Sequence, residues 1–271
     1  HYFVYVPDRM SEILLETRGI SKDFSSVYVL NDINIQVIRG EILGIIGENG
    51  AGKSTLMKIL SGVYPRESYE GRVLLNGEEI SNQPIRKNIK GGMAYIPEDR
   101  HHVGTAPSLS ITDNVIMKKY QQSPIGRGLT VDARAADKFA NQLKDEYNII
   151  VPNVKTQARL LSGGNLQRVI LAREMSSQPK VMIAVQPTRG LDVGAIEGVH
   201  NYLLAEREAG AGVLLISEEL EELLALCDRI YVIYEGQIMG EVTDGNIETI
   251  GLMMTGTPLE QIRTQGAVPH V

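Results

Sequence analysis

One cysteine, no apolar run long enough to cross a bilayer, no excess of basic charge and no internal repeat mark this chain of 271 residues. A single cysteine, Cys227, excludes an internal disulfide framework and suits a reducing compartment. Its setting, Leu223-Leu224-Ala225-Leu226-Cys227, reads as that of a small core residue. No segment approaches the roughly 18–20 apolar residues that a spanning helix needs. Acidic residues outnumber basic ones, 33 to 27, for a net charge of −6. The pI is about 5.5, so nucleic acid is not an expected partner. The start, His1 to Pro7, lacks the basic region and long apolar stretch of a signal peptide. It opens on His rather than Met, so residues 1–10 are expected to be a remnant before Met10, or the chain a piece of a longer one. They carry no weight in the fold argument. At 43% hydrophobic and 22% charged residues, the composition is that of an ordinary globular protein with a substantial core.

What is present is led by Gly47-Glu48-Asn49-Gly50-Ala51-Gly52-Lys53-Ser54-Thr55, which fits G-x-x-x-x-G-K-[ST]. The apolar run Ile42-Leu43-Gly44-Ile45-Ile46 before it predicts a buried strand, and Lys53 to Leu60 after it a helix. In that setting the loop's N–H groups and the helix N-terminus are aimed at a polyphosphate. Lys53 is expected to reach the β- and γ-phosphates, and Ser54 to offer its hydroxyl to Mg²⁺. A nucleoside triphosphate with Mg²⁺ is therefore the expected ligand pair.

The rest of the pattern is α/β. Ile13 to Arg18 and Val29 to Val37 read as strands, and Asn76-Gly77 as a hairpin turn. From about residue 100 to 165 the chain turns helical. Ile111-Thr112-Asp113-Asn114 offers a helix start, and Asp132 to Tyr147 is amphipathic, with Ala136, Phe139, Ala140, Leu143 and Tyr147 on one face. Strands Val181–Val185, Gly212–Ser217 and Arg229–Tyr234 then alternate with helices Val193–Ala209 and Glu218–Cys227. Continuous apolar strands alternating with helices predict a mostly parallel, doubly covered sheet. The expectation is a P-loop NTPase core with an N-terminal antiparallel β subdomain and a helical insertion. The domain is expected over residues 11–256, with residues 257–271 loosely ordered.

A second motif, Leu161-Ser162-Gly163-Gly164-Asn165-Leu166-Gln167, opens a helical stretch. Its hydroxyl, open N–H groups and dipole end suit a second anion. With both motifs and Pro187-Thr188-Arg189-Gly190-Leu191-Asp192 in place, the chain resembles an ATP-binding cassette (ABC) ATPase. Gly47–Thr55 looks like the Walker A motif, Leu161–Gln167 the signature, and the segment ending at Asp192 the D-loop. Leu-Ser-Gly-Gly-Asn, Ile96-Pro97-Glu98-Asp99-Arg100 and Pro187–Ala195 are similar to the second cassette of fused double-cassette ATPases of bacterial monosaccharide and nucleoside importers. Ala184–Glu197 leans toward the nucleoside branch. The resemblance implies ATP as the nucleotide and two cassettes facing head to tail, each ATP held between one Walker A and the other's Ser162-Gly163-Gly164 equivalent. It implies an aromatic on adenine at Phe24, which reads equally as a core residue.

The chain departs from the family pattern on the hydrolysis side. Val185 stands where the family has the Asp that supports Mg²⁺, and Gln186 where it has the Glu that polarises water. Gln186 can position a water but cannot take its proton, and a suitable base typically contributes roughly 10²–10⁴-fold. Glu218 replaces the His that contacts the γ-phosphate, and Glu98 the Q-loop Gln. Glu98 could accept from a metal-bound water or simply belong to the charged run Glu98-Asp99-Arg100-His101-His102. The resemblance thus implies a site that holds MgATP with little turnover, while Ser162–Gly164 completes a partner cassette's site. The expected partners are a second cassette, transmembrane permease subunits and, indirectly, a solute-binding protein. The expected place is the cytoplasmic face of the cell membrane, with docking through residues 98–120. A nucleotide-dependent regulator without a transport role and an active homodimeric ATPase are the alternatives; the transported solute is not legible.

Overall fold

The computed structural model describes residues 12–128 and 130–264. In chain order, strands β1 (Ile13–Phe24), β2 (Val27–Ile38) and β3 (Ile42–Ile46) lead to helix α1 (Lys53–Leu60). Then come β4 (Glu70–Leu75), β5 (Glu78–Glu79), α2 (Ile85–Lys90), β6 (Met93–Ile96) and α3 (Ile111–Ile116). A short hairpin, β7 (Gly126–Arg127) and β8 (Thr130–Val131), precedes α4 (Ala133–Glu146) and α5 (Gly163–Met175). The last part runs β9 (Val181–Val185), α6 (Val193–Glu208), β10 (Gly212–Ile216), α7 (Leu220–Leu226), β11 (Arg229–Tyr234), β12 (Gln237–Val242), α8 (Ile247–Met254) and α9 (Leu259–Thr264).

The chain divides into two compact units. One takes residues up to Met93, Lys180–Val185 and those from Glu206 onward; the other takes Ala94–Pro179 and Gln186–Ala205. In the first, β2-β1-β4-β5 form an antiparallel sheet with Thr17 opposite Ile35 and Leu15 opposite Leu75. A second sheet has the order β12-β11-β3-β10-β9, parallel except for β12. Every residue of β3, β9 and β10 is buried, which is why these strands read as continuous apolar runs rather than alternating ones. Glu41, wholly buried, accepts from the Ile38 amide at 2.6 Å and from the Arg229 guanidinium at 2.9 Å, so the turn into β3 is tied to the start of β11.

The second unit is mostly helical. Asp132 caps α4 by accepting from the Arg134 and Ala135 amides, and Ala136, Ala140 and Leu143 face its core. Tyr147 packs on Tyr202 with ring centroids 4.9 Å apart. Glu174 on α5 is buried, and its carboxylate accepts from the Tyr95 amide at 3.0 Å, from Arg173 at 2.8 Å and from Lys118. Arg173 in turn donates to the Gly104 carbonyl at 2.7 Å. Three charges thus brace the chain on either side of residues 98–104.

The tail differs from expectation. Residues 259–264 form α9, with Ile262 buried. A β-carbon on Gly240 would lie 2.5 Å from that of Leu259, so a glycine in β12 gives α9 its seat. Six residues are too few for periodicity to declare a helix; the contact with β12 decides it. Residues 1–10 and 265–271 lie outside the described residues. Cys227 is only partly buried as a residue, although desolvation pushes its thiol well above the usual range.

Two predictions follow from the buried charges. Glu174→Ala leaves Lys118 and Arg173 without their carboxylate and is expected to cost about 3–5 kcal/mol in urea unfolding. Glu206 on α6 has its carboxyl pushed up to about 7 by desolvation. The folded value exceeds that of an unfolded Glu, about 4.3, so stability from the protonated group is complete below that value and is lost as pH rises through 7. Glu206→Gln should remove this slope, gaining on the order of 2 kcal/mol over the native chain at pH 8 after discounting for partial exposure, and little at pH 4.

Candidate functional site

The loop Gly47–Gly52 leaves the C-terminal end of β3, at the centre of the parallel sheet. Its shape is set by close backbone approach. A β-carbon on Gly47 would lie 2.2 Å from the Ile233 carbonyl oxygen, and one on Gly52 2.6 Å from that of Val29. Gly52 also has φ +101, in the left-handed region where a side chain is strained. The Glu235-Gly236 turn between β11 and β12 backs the loop. The Gly236 amide donates to the Ala51 carbonyl at 3.0 Å, and the Asn31 amide donates to Gly236 at 2.8 Å. Gly236, φ +74, would place a β-carbon 2.3 Å from the Val29 oxygen.

Helix α1 starts at Lys53 behind Gly52, with no side chain capping its N-terminus. Its leading N–H groups therefore face the loop without a side-chain acceptor, the usual arrangement for a phosphate. The Lys53 ammonium, mostly buried, donates to the Gly47 and Glu48 carbonyls at 2.5 and 2.8 Å. It stands over the loop it would share with a phosphate. Ser54 and Thr55 occupy the first turn of α1. The residues present fit a nucleotide phosphate chain; when bound, Mg²⁺ would supply charge neutralisation at the phosphates, with Ser54 as the hydroxyl placed to meet it.

Three strands end on the same edge. Ile216 of β10 is paired with Ile45 of β3 on one side and Val185 of β9 on the other. Val185, Ser217-Glu218 and Gly47 thus leave neighbouring strand ends, where ligands of open α/β sheets bind. Val185 is buried and apolar, with nothing to offer a metal's water. Ser217 is fully buried and its hydroxyl accepts from the Glu219 amide at 3.0 Å. Glu218 is exposed. Phe24 ends β1 and is 46% exposed, so the core-residue reading of Phe24 is corrected. The Lys22 ammonium sits 4.4 Å from its ring centre and Tyr64 is its ring neighbour at 6.5 Å.

The remaining sequence-picked residues belong to the second unit. Ser162 caps α5: its hydroxyl accepts from the Asn165 amide at 3.4 Å and the Asn165 side chain at 3.1 Å. Gly164 lies against Ala195, and its β-carbon position is 3.9 Å from the Asp192 carboxylate. Asp192 accepts from the Ala195 amide at 2.9 Å at the start of α6. The signature and the D-loop segment are therefore neighbours. Gln186 is buried and has φ 48, a left-handed backbone in a non-glycine residue. Glu98 forms an ion pair with Arg189 through one carboxylate oxygen, which leaves the other oxygen as its acceptor for a metal-bound water. Sequence reasoning did not single out Arg189, Arg100 or Gly236. Arg100 and Arg189 lay in quoted motifs, but their contacts join segments about ninety positions apart.

A phosphate loop on a parallel sheet, with a helical unit bearing a Ser-Gly-Gly helix start, places the chain among nucleotide-binding cassettes of the P-loop class. The more specific assignment comes from comparison with known proteins. The chain belongs to the ABC transporter family, whose profile matches residues 30–189. It is 40% identical over 247 residues to the guanosine import ATP-binding protein NupO of Bacillus subtilis, covering 90% of this chain and 48% of that protein. It is 39% identical to the glucose import ATP-binding protein TsgD13 of Haloferax volcanii, over 90% of this chain and 45% of that one. The chain thus spans about half the length of the curated relatives it matches. Among solved structures, a nucleotide-free ATP-binding cassette from an ABC transporter superposes with a TM-score of 0.71 at 23% identity, covering 95% of this chain and 96% of that one. A dimeric ATP-binding cassette with ADP and Pi matches with a TM-score of 0.72 at 20% identity, over 85% and 98% of the two chains. Both establish the ABC cassette fold.

The buttress behind the phosphate loop is testable. Gly236→Ala is expected to destabilise the chain by about 2–3 kcal/mol. It should also weaken ATP binding in a fluorescent-nucleotide titration, although the residue lies outside the loop.

Proposed function

We propose that this chain is the ATP-binding cassette of an importer for a sugar or nucleoside, and that its own phosphate loop holds MgATP with little hydrolysis. The observation that carries this is an asymmetry. The phosphate-gripping parts are complete in Gly47–Thr55, while Val185 cannot support a metal and Gln186 cannot take a proton. Glu218 adds a negative charge where contact with the γ-phosphate would need a donor. Phe24, exposed at the end of β1, serves as the platform for adenine.

The names of the relatives support import of guanosine or glucose by those proteins, and the split between nucleoside and sugar leaves the solute class of this chain at that breadth. Coverage of about half of each relative supports this chain as one of two cassettes, fused or separate, within a domain of residues 11–256. In that pair Ser162, Gly163, Gly164 and Asp192 complete the partner's site, where an Asp, a Glu and a His do the chemistry. Closure on ATP and reopening after hydrolysis then follow from differential binding of ATP and ADP by the facing surfaces. Docking on permease subunits uses residues 98–120, where Val103, Leu109 and Met117 are exposed at 64%, 45% and 38%. Among the described residues no helix is long and apolar enough to cross a membrane. The proposed place is the cytoplasmic face of the membrane, on the permease, with a solute-binding protein acting on its other side.

The isolated chain should bind ATP, lose that binding in Lys53→Ala, and hydrolyse at or near background. Robust ATPase activity of the isolated chain that Lys53→Ala removes would sink the proposal and favour the active homodimer.

A further inference from the structure

Arg100 is 9% exposed, and among the described residues no carboxylate is paired with its guanidinium. The carboxylates beside it in sequence are engaged elsewhere: Glu98 with Arg189, and Asp99 with the amides of His101 and His102 at 2.9 Å. One arm of the guanidinium donates to the Arg189 carbonyl. The other, Nη1, lies 3.3 Å from where a β-carbon of Gly163 would stand. Gly163 is the first residue of α5, a helix of 13 residues. Desolvation holds the Arg100 pKa below its ordinary value.

This arrangement runs against simple electrostatics. A helix N-terminus carries about half a positive charge and favours anions, while cations belong at the other end. Here a desolvated cation is fixed beside an N-terminus, and the local cap, the Ser162 hydroxyl, is neutral and already engaged with Asn165. A largely buried charge met by a backbone carbonyl but by no opposite charge is costly. What offsets both is an anion that meets the guanidinium and the helix start together, for which a guanidinium's planar fork is suited to phosphate.

We infer that Arg100 is a further phosphate-binding residue, charging the face built from Ser162–Gly164 toward the terminal phosphate of a nucleotide held by the facing cassette. This rests on the reading that the signature segment serves a partner's site. Through its bond to the Arg189 carbonyl, the same side chain ties that face to the segment leading to Asp192. Presence of the partner's γ-phosphate is thereby felt at residues 98–100, where the permease is expected to dock.

The test uses the whole importer, both cassettes with the permease, and compares Arg100→Gln, Arg100→Lys and Gly164→Asp. ATP hydrolysis, trapping of ADP with orthovanadate and thermal unfolding are measured. Gln retains an amide donor for the Arg189 carbonyl but no charge. The expected result is a fall in kcat of at least about tenfold for Arg100→Gln, with loss of vanadate trapping, an unmoved thermal midpoint and substantial recovery in Arg100→Lys. If Gly164→Asp is inactive while Arg100→Gln stays within about twofold of the native importer, the inference about Arg100 falls and the signature reading stands. Should Gly164→Asp itself remain active, the signature reading falls, and the inference with it. A loss in Arg100→Gln that Lys does not relieve and that accompanies a lowered thermal midpoint would reduce Arg100 to a structural tie and overturn the inference.

Discussion

Backbone meets backbone around the phosphate loop at distances that exclude a side chain, and much else depends on it. The Ile233 carbonyl behind Gly47 and the Val29 carbonyl behind Gly52 and Gly236 bring β2, β3 and the β11–β12 turn onto one point. That contact holds the loop above α1 without any side-chain cap, so the leading N–H groups of the helix keep no side-chain acceptor, while Lys53 is held on the loop's own Gly47 and Glu48 carbonyls.

The second unit uses a different physics. Its bracing is electrostatic and partly buried: Glu174 sits between Lys118 and Arg173 and Arg100 lies against a helix start, while Glu98 pairs with Arg189 at the surface. Such charges cost solvation and add little net stability, but they fix geometry sharply because a misplaced charge is penalised heavily. That suits the role proposed for this unit, presenting a helix start to the phosphate held by another cassette.

Much of the first unit was legible because its signals are local. The strand–loop–helix around Gly47–Thr55 and the apolar strands at 181–185 and 212–216 follow from composition and short spacing, and the structure places them within a residue or two. Strand ends were less legible. β1 runs to Phe24, well past Arg18, because pairing with β2 carries the polar residues Ser21 to Asp23 along. α9 was missed altogether, since its seat is Gly240, far away in the pattern. Phe24 could be read as a core residue until its exposure set that reading aside.

The sequence by itself determined the functional groups available: a phosphate loop with its lysine, a Ser-Gly-Gly helix start, an apolar side chain at Val185, an amide at Gln186 and a carboxylate at Glu218. Residue type and short spacing suffice for this, because a side chain carries the same functional groups in any fold. Only the tertiary structure decided how these residues are held and which are already committed. It brings Gly236 behind the loop, turns Lys53 onto the loop's own carbonyls, gives Glu98 to Arg189 and leaves Arg100 charged beside Gly163. Those outcomes depend on contacts between segments far apart in the chain, where desolvation and Coulomb energy rather than local propensity choose the partner.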